Sequence, residues 1–281
     1  MRIGFIGTGN MGGAIIRGFA ASEASEGCRL LVHNRTSERS NQIAREIPGV
    51  EILPDNARLA EESDIIIIGV KPNGVSEILR EISPNPDKLI VSMAAGVSIA
   101  SMEAAFGGED VPGKFIRIMP NTPAQVGEAM ISMSRNSRVT DSDFERAKAV
   151  FAAVGRCEEV PESLIDCVIG VSGSSPAYTY MYIDALIQGA VDNGMEPEKA
   201  RVFAAQSVLG AARMVLESSE SPEQLRINVC SPGGTTIEAV NRLFANGFMD
   251  NVREGLQAAV DRSKEMTAEK ETSYEKSSIN L

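Results

Sequence analysis

The first fifteen residues constrain the fold of this chain more than any other stretch. Ile3, Phe5 and Ile6 form a short apolar run that reads as a buried strand. It gives way at once to Gly7, Gly9 and Gly12, behind which Ile15, Ile16 and Phe19 recur at helical spacing. Strand, Gly-x-Gly-x-x-Gly turn and helix, in that order, make the dinucleotide fingerprint in its required context. Gly7 permits the tight turn, Gly9 lets backbone approach a pyrophosphate, and Gly12 lets the helix lie close on the strand. The helix N-terminus then offers free N–H groups and a partial positive charge to the phosphates. The plainer alternative is an ordinary strand-to-helix turn, which three glycines alone would not exclude.

Strands and helices alternate from there. Residues 28–33 read as a second strand leading into Asn34-Arg35-Thr36. An NAD-binding fold usually carries an acidic residue here for the ribose 2′-hydroxyl; an arginine between small polar residues suits a 2′-phosphate, which favours NADPH over NADH. A solvated helix start is the bland account of Arg35 and Arg39. After a helix come a short strand at 50–53 and a turn, Pro54-Asp55-Asn56, in which Asp55 or Asn56 caps the next helix. Residues 64–70 are apolar almost throughout, as expected of a parallel strand covered on both faces. That strand ends in Lys71-Pro72, where loops line a ligand crevice; Lys71 either approaches a phosphate or ribose or faces solvent. A strand at 88–93 ends in Ala94-Ala95-Gly96, small enough for backbone to pass close to a flat ring. Strands at 115–119 and 129–134, separated by the rigid turn Pro120-Asn121-Thr122-Pro123, and a helix at 141–153 complete the pattern. Seven or so strands alternating with helices predict an α/β fold, a Rossmann-type doubly wound sheet.

Beyond Pro161 helix signals take over. Ser174-Ser175-Pro176 opens a helix that Asn193-Gly194 closes, and Pro197 and Pro222 start two more. Thr235 and Glu238 have capping-box spacing behind Cys230-Ser231-Pro232-Gly233-Gly234. A last helix spans about 249–266, with a polar, mobile tail at 267–281. The expected division is a dinucleotide-binding domain at 1–161 and an all-α substrate and dimerisation domain at 162–281.

The formal net charge of −11 argues against nucleic acid as a partner. No apolar run approaches membrane-spanning length and no leader-like segment precedes the first strand, so a cytoplasmic location is expected. Cys28, Cys157, Cys167 and Cys230 lack metal-ligand spacing and read as buried thiols; no metal site is expected.

A nicotinamide domain joined to a helical domain suggests hydride transfer. His33, the only histidine, lies at a strand end in the first domain, and no lysine occurs between Lys148 and Lys199. The first half of the helical domain therefore lacks both usual general acids. An acceptor that arrives already protonated, such as an iminium ion, removes the need for one. The loop Ser231-Pro232-Gly233-Gly234-Thr235-Thr236 is the candidate to hold it: successive backbone N–H groups at a helix start suit a carboxylate, and the Thr236 hydroxyl can turn to the reacting nitrogen. The alternative is a well-capped helix start and nothing more.

These residues carry a resemblance. Residues 1 to about 266 are similar to the pyrroline-5-carboxylate reductases through Phe5-Ile6-Gly7-Thr8-Gly9-Asn10-Met11-Gly12, Val70-Lys71-Pro72, Ala94-Ala95-Gly96-Val97, Arg117-Ile118-Met119-Pro120-Asn121-Thr122-Pro123, Gly170-Val171-Ser172-Gly173-Ser174-Ser175-Pro176-Ala177-Tyr178 and Ser231-Pro232-Gly233-Gly234-Thr235-Thr236-Ile237. Ser175 departs from the family's usual glycine. The resemblance implies NAD(P)H-dependent reduction of 1-pyrroline-5-carboxylate to L-proline, the last step of proline biosynthesis, with NADPH preferred and NADH possible. It implies cofactor contacts at Ile6, Gly7, Thr8, Gly9, Asn10 and Met11, at Asn34, Arg35 and Thr36, at Asn56, at Val70, Lys71 and Pro72, at Ala94, Ala95 and Gly96, and at Asn228. It further implies substrate contacts at Glu162, Ser231, Gly233, Gly234, Thr235 and Thr236, with Thr236 the catalytic residue bonding the ring nitrogen. A homodimer through the helical domain, assembled further into a decamer, follows from the same likeness.

Two rivals share part of this pattern. A β-hydroxyacid dehydrogenase has the same two-domain plan but expects a lysine where the gap from Lys148 to Lys199 falls. A non-catalytic dinucleotide-binding protein would have no use for the intact Ser231 to Thr236 loop.

Overall fold

The computed structural model describes residues 1–82, 87–108 and 113–279, with residues 270–279 described as backbone only. The chain forms two compact units, Met1–Gly173 together with Ala259–Leu281, and Ser174–Ala258.

The first unit is built on eight strands: β1 (Arg2–Ile6), β2 (Arg29–His33), β3 (Glu51–Ile52), β4 (Ile65–Ile68), β5 (Leu89–Ser92), β6 (Lys114–Met119), β7 (Ala129–Arg135) and β8 (Gly155–Glu159). They lie in the order β3-β2-β1-β4-β5-β6-β7-β8. Strands β1 to β6 run parallel, β7 is antiparallel to β6, and β8 is parallel to β7. The direction of winding reverses at β1, which leaves a crevice beyond the carboxyl ends of β1 and β4.

Why β4 is four consecutive isoleucines follows from the two cores. Ile65 and Ile67 join Ile3, Phe5, Val91 and Ile116 on one face, under Ile15, Ile16 and Phe19 of α1 (Asn10–Ala20). Ile66 and Ile68 join Leu31, Ile90 and Phe115 on the other. There they meet Leu59 of α3 (Asn56–Glu62), Leu79 and Ile82 of α4 (Val75–Ile82), and Met102 and Phe106 of α5 (Ile99–Phe106). Successive side chains point to opposite faces, and both faces are covered, so every residue must be apolar. The helix α2 (Ser37–Glu46) follows β2, and α6 (Asp141–Ala152) adds Phe144 and Phe151 to the first core.

Four expectations need correction. The sheet has an eighth strand, β8, which the sequence hides because only Cys157 of its five residues is buried. Its charges work on the surface instead, with Arg135 of β7 bonding Glu159 at 2.8 Å. Cys157 is the one buried cysteine, and its thiol is pushed up to about 11 by that burial. Cys28 and Cys230 are half-buried and Cys167 is exposed, because each lies off the buried side of its turn or helix. Third, the expected tail is mostly helix: α12 runs from Phe248 to Ile279, while residues 280 and 281 lie outside the described residues. Val260 and Ser263 are buried on that helix, and the Ser263 hydroxyl donates to Asp166 at 2.6 Å, which anchors its middle. The fourth correction, to the Thr235 cap, belongs to the site.

Along the chain after β8 come a short α7 (Ile165–Val168) and a π-helical turn over Ile169–Gly173. The second unit contains α8 (Ser175–Asp192), α9 (Pro197–Glu217), α10 (Pro222–Asn228), α11 (Thr235–Ala245) and the start of α12. Ser174 precedes α8 without a side-chain cap, since the chain arrives already coiled from the π turn. In α8, α10 and α11 no residue is buried, and α9 buries only Ala200 and Ala204. Large apolar side chains stand out from these helices, among them Met181, Phe203 and Leu216 at 73%, 64% and 72% exposure. No helix among the described residues is long and apolar enough to cross a membrane.

Candidate active site

The glycine turn after β1 has the shape its sequence requires. Gly7 adopts φ +92°, a left-handed conformation that side chains resist, and its N–H donates to the carbonyl of His33 at 2.9 Å. A Cβ on Gly12 would stand 2.6 Å from the carbonyl oxygen of Gly7, so the first turn of α1 sits directly on the loop. Gly9 is the N-cap residue of α1 and supplies no side-chain cap. The first-turn N–H groups of α1 are left free at the carboxyl end of β1, which suits an anion.

Neighbouring residues brace that turn and leave cations beside it. Asn34 accepts from the N–H of Thr8 at 2.7 Å and donates to both the Thr8 hydroxyl and Ser40 Oγ, the latter at 3.1 Å. The Asn34 side chain is therefore committed to holding the loop. His33 Nδ1 donates to the carbonyl of Leu53 at 3.0 Å, an assignment set by the acceptor, so this ring ties β2 to the end of β3. Arg35, Thr36 and Arg39 are exposed, and among the described residues neither arginine forms a hydrogen bond or ion pair. Lys71, just past β4, is likewise exposed and unpaired. Asp55 caps α3 by accepting from Arg58 N at 2.7 Å, which frees Asn56 for other work. Asn56 donates from Nδ2 to Glu81 at 2.6 Å, and its Oδ1 is buried with no partner. After β5, Ala94 and Gly96 are buried and Ala95 half-buried, with Gly96 at φ +71°.

A second cluster sits on β6 and the residues after β8. Glu162 Oε1 accepts from the Arg117 guanidinium at 2.9 Å and from Ile99 N, the first amide of α5, at 2.8 Å. The Arg117 side chain is only 6% exposed, so its charge depends on that carboxylate. Asn121 donates to the carbonyl of Ser172 in the π turn at 2.9 Å and accepts from Met130 N at 3.0 Å. Neither Arg117 nor Asn121 stood out as a tether in the sequence, although a lone charge inside Phe115-Ile116-Arg117-Ile118-Met119 is a signal that a buried partner exists.

In the second unit, Gly233 turns with φ +68° and Gly234 N donates to the carbonyl of Ser231 at 3.0 Å. Gly234 is the N-cap residue of α11 and no side-chain cap forms. The capping box expected between Thr235 and Glu238 is therefore absent. The tight Ser231–Gly234 turn puts the helix start one residue early, Thr235 lies inside the first turn, and its hydroxyl has no N3 amide to reach. Ser231, Thr235 and Thr236 are exposed. Asn228, the last residue of α10, donates to Glu220 at 2.9 Å and accepts from Gln224 at 2.8 Å.

Comparison with known proteins shows the family. Residues 162–266 match the family model for pyrroline-5-carboxylate reductase dimerisation, and residues 2–96 match that for coenzyme F420-dependent NADP oxidoreductases. The pyrroline-5-carboxylate reductase of Escherichia coli (strain K12) is 41% identical over 268 residues, covering 95% of this chain and 98% of that protein. The chain belongs to the pyrroline-5-carboxylate reductase family. The reductase from Coxiella burnetii superposes with a TM-score of 0.86 at 32% identity over 94% of this chain and 98% of that one. The Plasmodium falciparum reductase, solved with NADP bound, superposes at 0.82 with 30% identity over 95% and 98%. The oxidoreductase model spans the glycine turn, the Asn34 to Thr36 segment, Asn56 and Lys71, and the dimerisation model spans Glu162 and the Ser231 to Thr236 loop.

Proposed function

We propose that this chain reduces 1-pyrroline-5-carboxylate to L-proline with NADPH, the last step of proline biosynthesis. The reading is carried by the exposed, uncapped start of α11 at Gly233-Gly234-Thr235-Thr236, in a chain of this family. The residues of the first unit fit the cofactor: a glycine cradle that a Cβ would fill, a buried Asn56 oxygen without a donor, and unpaired cations in a chain of net charge −11. Bound NADPH supplies the hydride.

The rest is the work of the chain's own residues. Ile6, Gly7, Thr8, Gly9, Asn10 and Met11 would cradle the pyrophosphate with backbone, Arg35 and Thr36 would receive the 2′-phosphate end beside the loop that Asn34 braces, and Asn56 and Lys71 with Val70 and Pro72 would line the ribose side. Ala94, Ala95 and Gly96 give the nicotinamide a flat floor, and Asn228 contributes from α10. The first-turn N–H groups of α11, with Ser231, Gly233, Gly234 and Thr235, hold the substrate carboxylate. The Thr236 hydroxyl bonds the ring nitrogen and orients the imine carbon. Because the substrate arrives as an iminium ion, hydride addition gives the neutral amine directly and no side chain need donate a proton. Glu162 borders the substrate.

Residues 1–161, with Asn228, serve the cofactor, and the rest of 162–281 serves the substrate and self-association. The unburied apolar faces of α8 and α9 support a homodimer through the helical domain, further assembly into a decamer is proposed from the family likeness alone, and the composition suits the cytoplasm. The test is oxidation of NADPH by purified protein supplied with 1-pyrroline-5-carboxylate, with L-proline as product. A folded, NADPH-binding protein that turns over none of this substrate would overturn the assignment.

A further inference from the structure

Arg117 is a buried charge set among the apolar residues of β6. Phe115 belongs to the core shared with α3, α4 and α5, whereas Ile116 and Ile118 belong to the other, so Arg117 lies on the same face as Phe115. Its register neighbours, Ser92 of β5 and Ser134 of β7, are buried, and their hydroxyls bond backbone at Ala94 and Val160. Among the described residues Glu162 supplies the one carboxylate paired with Arg117, at 2.9 Å. The same oxygen, Oε1, accepts from Ile99 N at 2.8 Å, while Oε2 takes no bond among the described residues. These bonds reach the segment that follows β5. Ala94-Ala95-Gly96 lie between the Ser92 hydroxyl, which accepts from Ala94 N at 3.3 Å, and Ile99, the first residue of α5. Glu162 therefore closes one end of that loop and Ser92 the other. A single amide would leave the carboxylate free to turn about one bond; a second donor, rooted in the sheet, fixes it.

We infer that Arg117 is a positioning residue for the reduction. It holds Glu162 by Oε1, which leaves Oε2 as the oxygen offered to the substrate, and through Glu162 and Ile99 it fixes the loop beneath the nicotinamide. This rests on reading Glu162 as bordering the substrate and Ala94 to Gly96 as the nicotinamide floor; Arg117 itself is assigned no contact with either ligand. Misplacing a reacting group by about 1 Å costs roughly 100-fold in rate, so a tether of this kind acts on kcat.

Two readouts on the full chain test it, using Arg117→Met, Arg117→Lys, Glu162→Gln and the double variant Arg117→Met with Glu162→Gln. Arg117→Met buries no charge and leaves Glu162, 29% exposed, to solvent, so the variant folds. Hydrogen exchange reads the tether without turnover: Arg117→Met should speed exchange at residues 94–99 by about 10-fold or more and leave α1 unchanged. Steady-state kinetics with NADPH and 1-pyrroline-5-carboxylate read its consequence. Arg117→Met should lower kcat about 10- to 100-fold, and Arg117→Lys should fall between it and wild type, because an ammonium keeps one charge-assisted bond to Oε1. Since Arg117 acts through Glu162, Glu162→Gln should lower kcat/KM in the wild type but change it by less than about twofold once Arg117 is replaced by Met. An arginine that only stabilises the fold would lower the unfolding midpoint and leave kcat of the folded protein intact. Unchanged exchange at 94–99, unchanged kcat in Arg117→Met, or losses that simply multiply in the double variant overturn the positioning role. A wild type that binds NADPH without turning over this substrate overturns the proposed function instead, and the exchange measurement still decides the tether.

Discussion

Thr235 and Thr236 are adjacent, chemically identical and both exposed, and the proposed function gives them different roles. The sequence predicts Thr235 as a helix cap; in the structure Gly234 takes that position and the Thr235 hydroxyl bonds nothing. Thr235→Val should therefore change stability by less than about 0.5 kcal/mol, the range for surface substitutions, where a lost cap would cost about 1 kcal/mol. Thr236→Val keeps the shape and removes the hydroxyl assigned to the ring nitrogen. A bond that strengthens as the imine becomes an amine appears in kcat, and the expected loss is about 100-fold, the low end for proton-transfer contacts, because the iminium needs only orientation. Steady-state kinetics on both variants decide it. Full kcat and kcat/KM in Thr236→Val would remove its catalytic role. The same scale explains which site residues the sequence could not interpret. Asn34, Asn56 and Glu162 each look like a surface polar residue, and only their partners, Thr8, Glu81 and Arg117, give them a function.

At the scale of single elements, α6 shows how charge and capping combine. Thr140 is its N-cap residue and accepts from Asp143 N at 3.1 Å, while the Thr140 hydroxyl donates to Asp143 Oδ2 at 2.9 Å. Lys114 of β6 donates to the same carboxylate oxygen at 2.9 Å. Burial alone would raise the Asp143 pKa, but the bonds from Lys114 and Thr140 outweigh it and hold the group below its ordinary value. A depressed folded pKa means the stabilisation is complete above the ordinary carboxylate value near 4 and disappears as pH falls through the folded value. Asp143→Asn should thus cost about 1–2 kcal/mol at pH 7, where the carboxylate is charged. The gap from wild type should close progressively below about pH 4. Denaturant titrations at pH 7 and at pH 3 measure both values, and a gap that is the same at the two would mean that the ion pair contributes nothing. The strand β8 is the opposite case of an element that local pattern could not reveal. With Arg156, Glu158 and Glu159 among its five residues it has no apolar periodicity, and it exists because β7 offers it an edge.

For the whole molecule, the second unit is the decisive feature. A helical unit in which α8, α10 and α11 bury nothing has no core of its own in a single copy, so its apolar faces need a partner surface. Oligomerisation is what the family model for residues 162–266 describes. Phe203, 64% exposed on α9, lies on such a face. Phe203→Asp should convert the assembled protein to smaller species in sedimentation velocity and lower its unfolding midpoint. In the wild type that midpoint should rise with protein concentration, as subunit association requires. A variant with unchanged mass would exclude Phe203 from the interface.

Much of the first unit was legible from order and period alone. An apolar strand, three glycines and a helix leave few alternatives for residues 1–20, and a run of isoleucines such as β4 is tolerated only inside a sheet covered on both faces. Those are local requirements of backbone sterics and burial, so they are written in consecutive residues. What only the tertiary structure decided are pairings between residues far apart in the chain: the reversed edge strands β7 and β8, the Arg117–Glu162 pair that also holds the first amide of α5, and the unpaired state of Arg35 and Arg39 amid an excess of carboxylates. A charged side chain carries no mark of whether a partner will be within 3 Å, because that distance is set by how the sheet stacks elements that the sequence lists tens of residues apart.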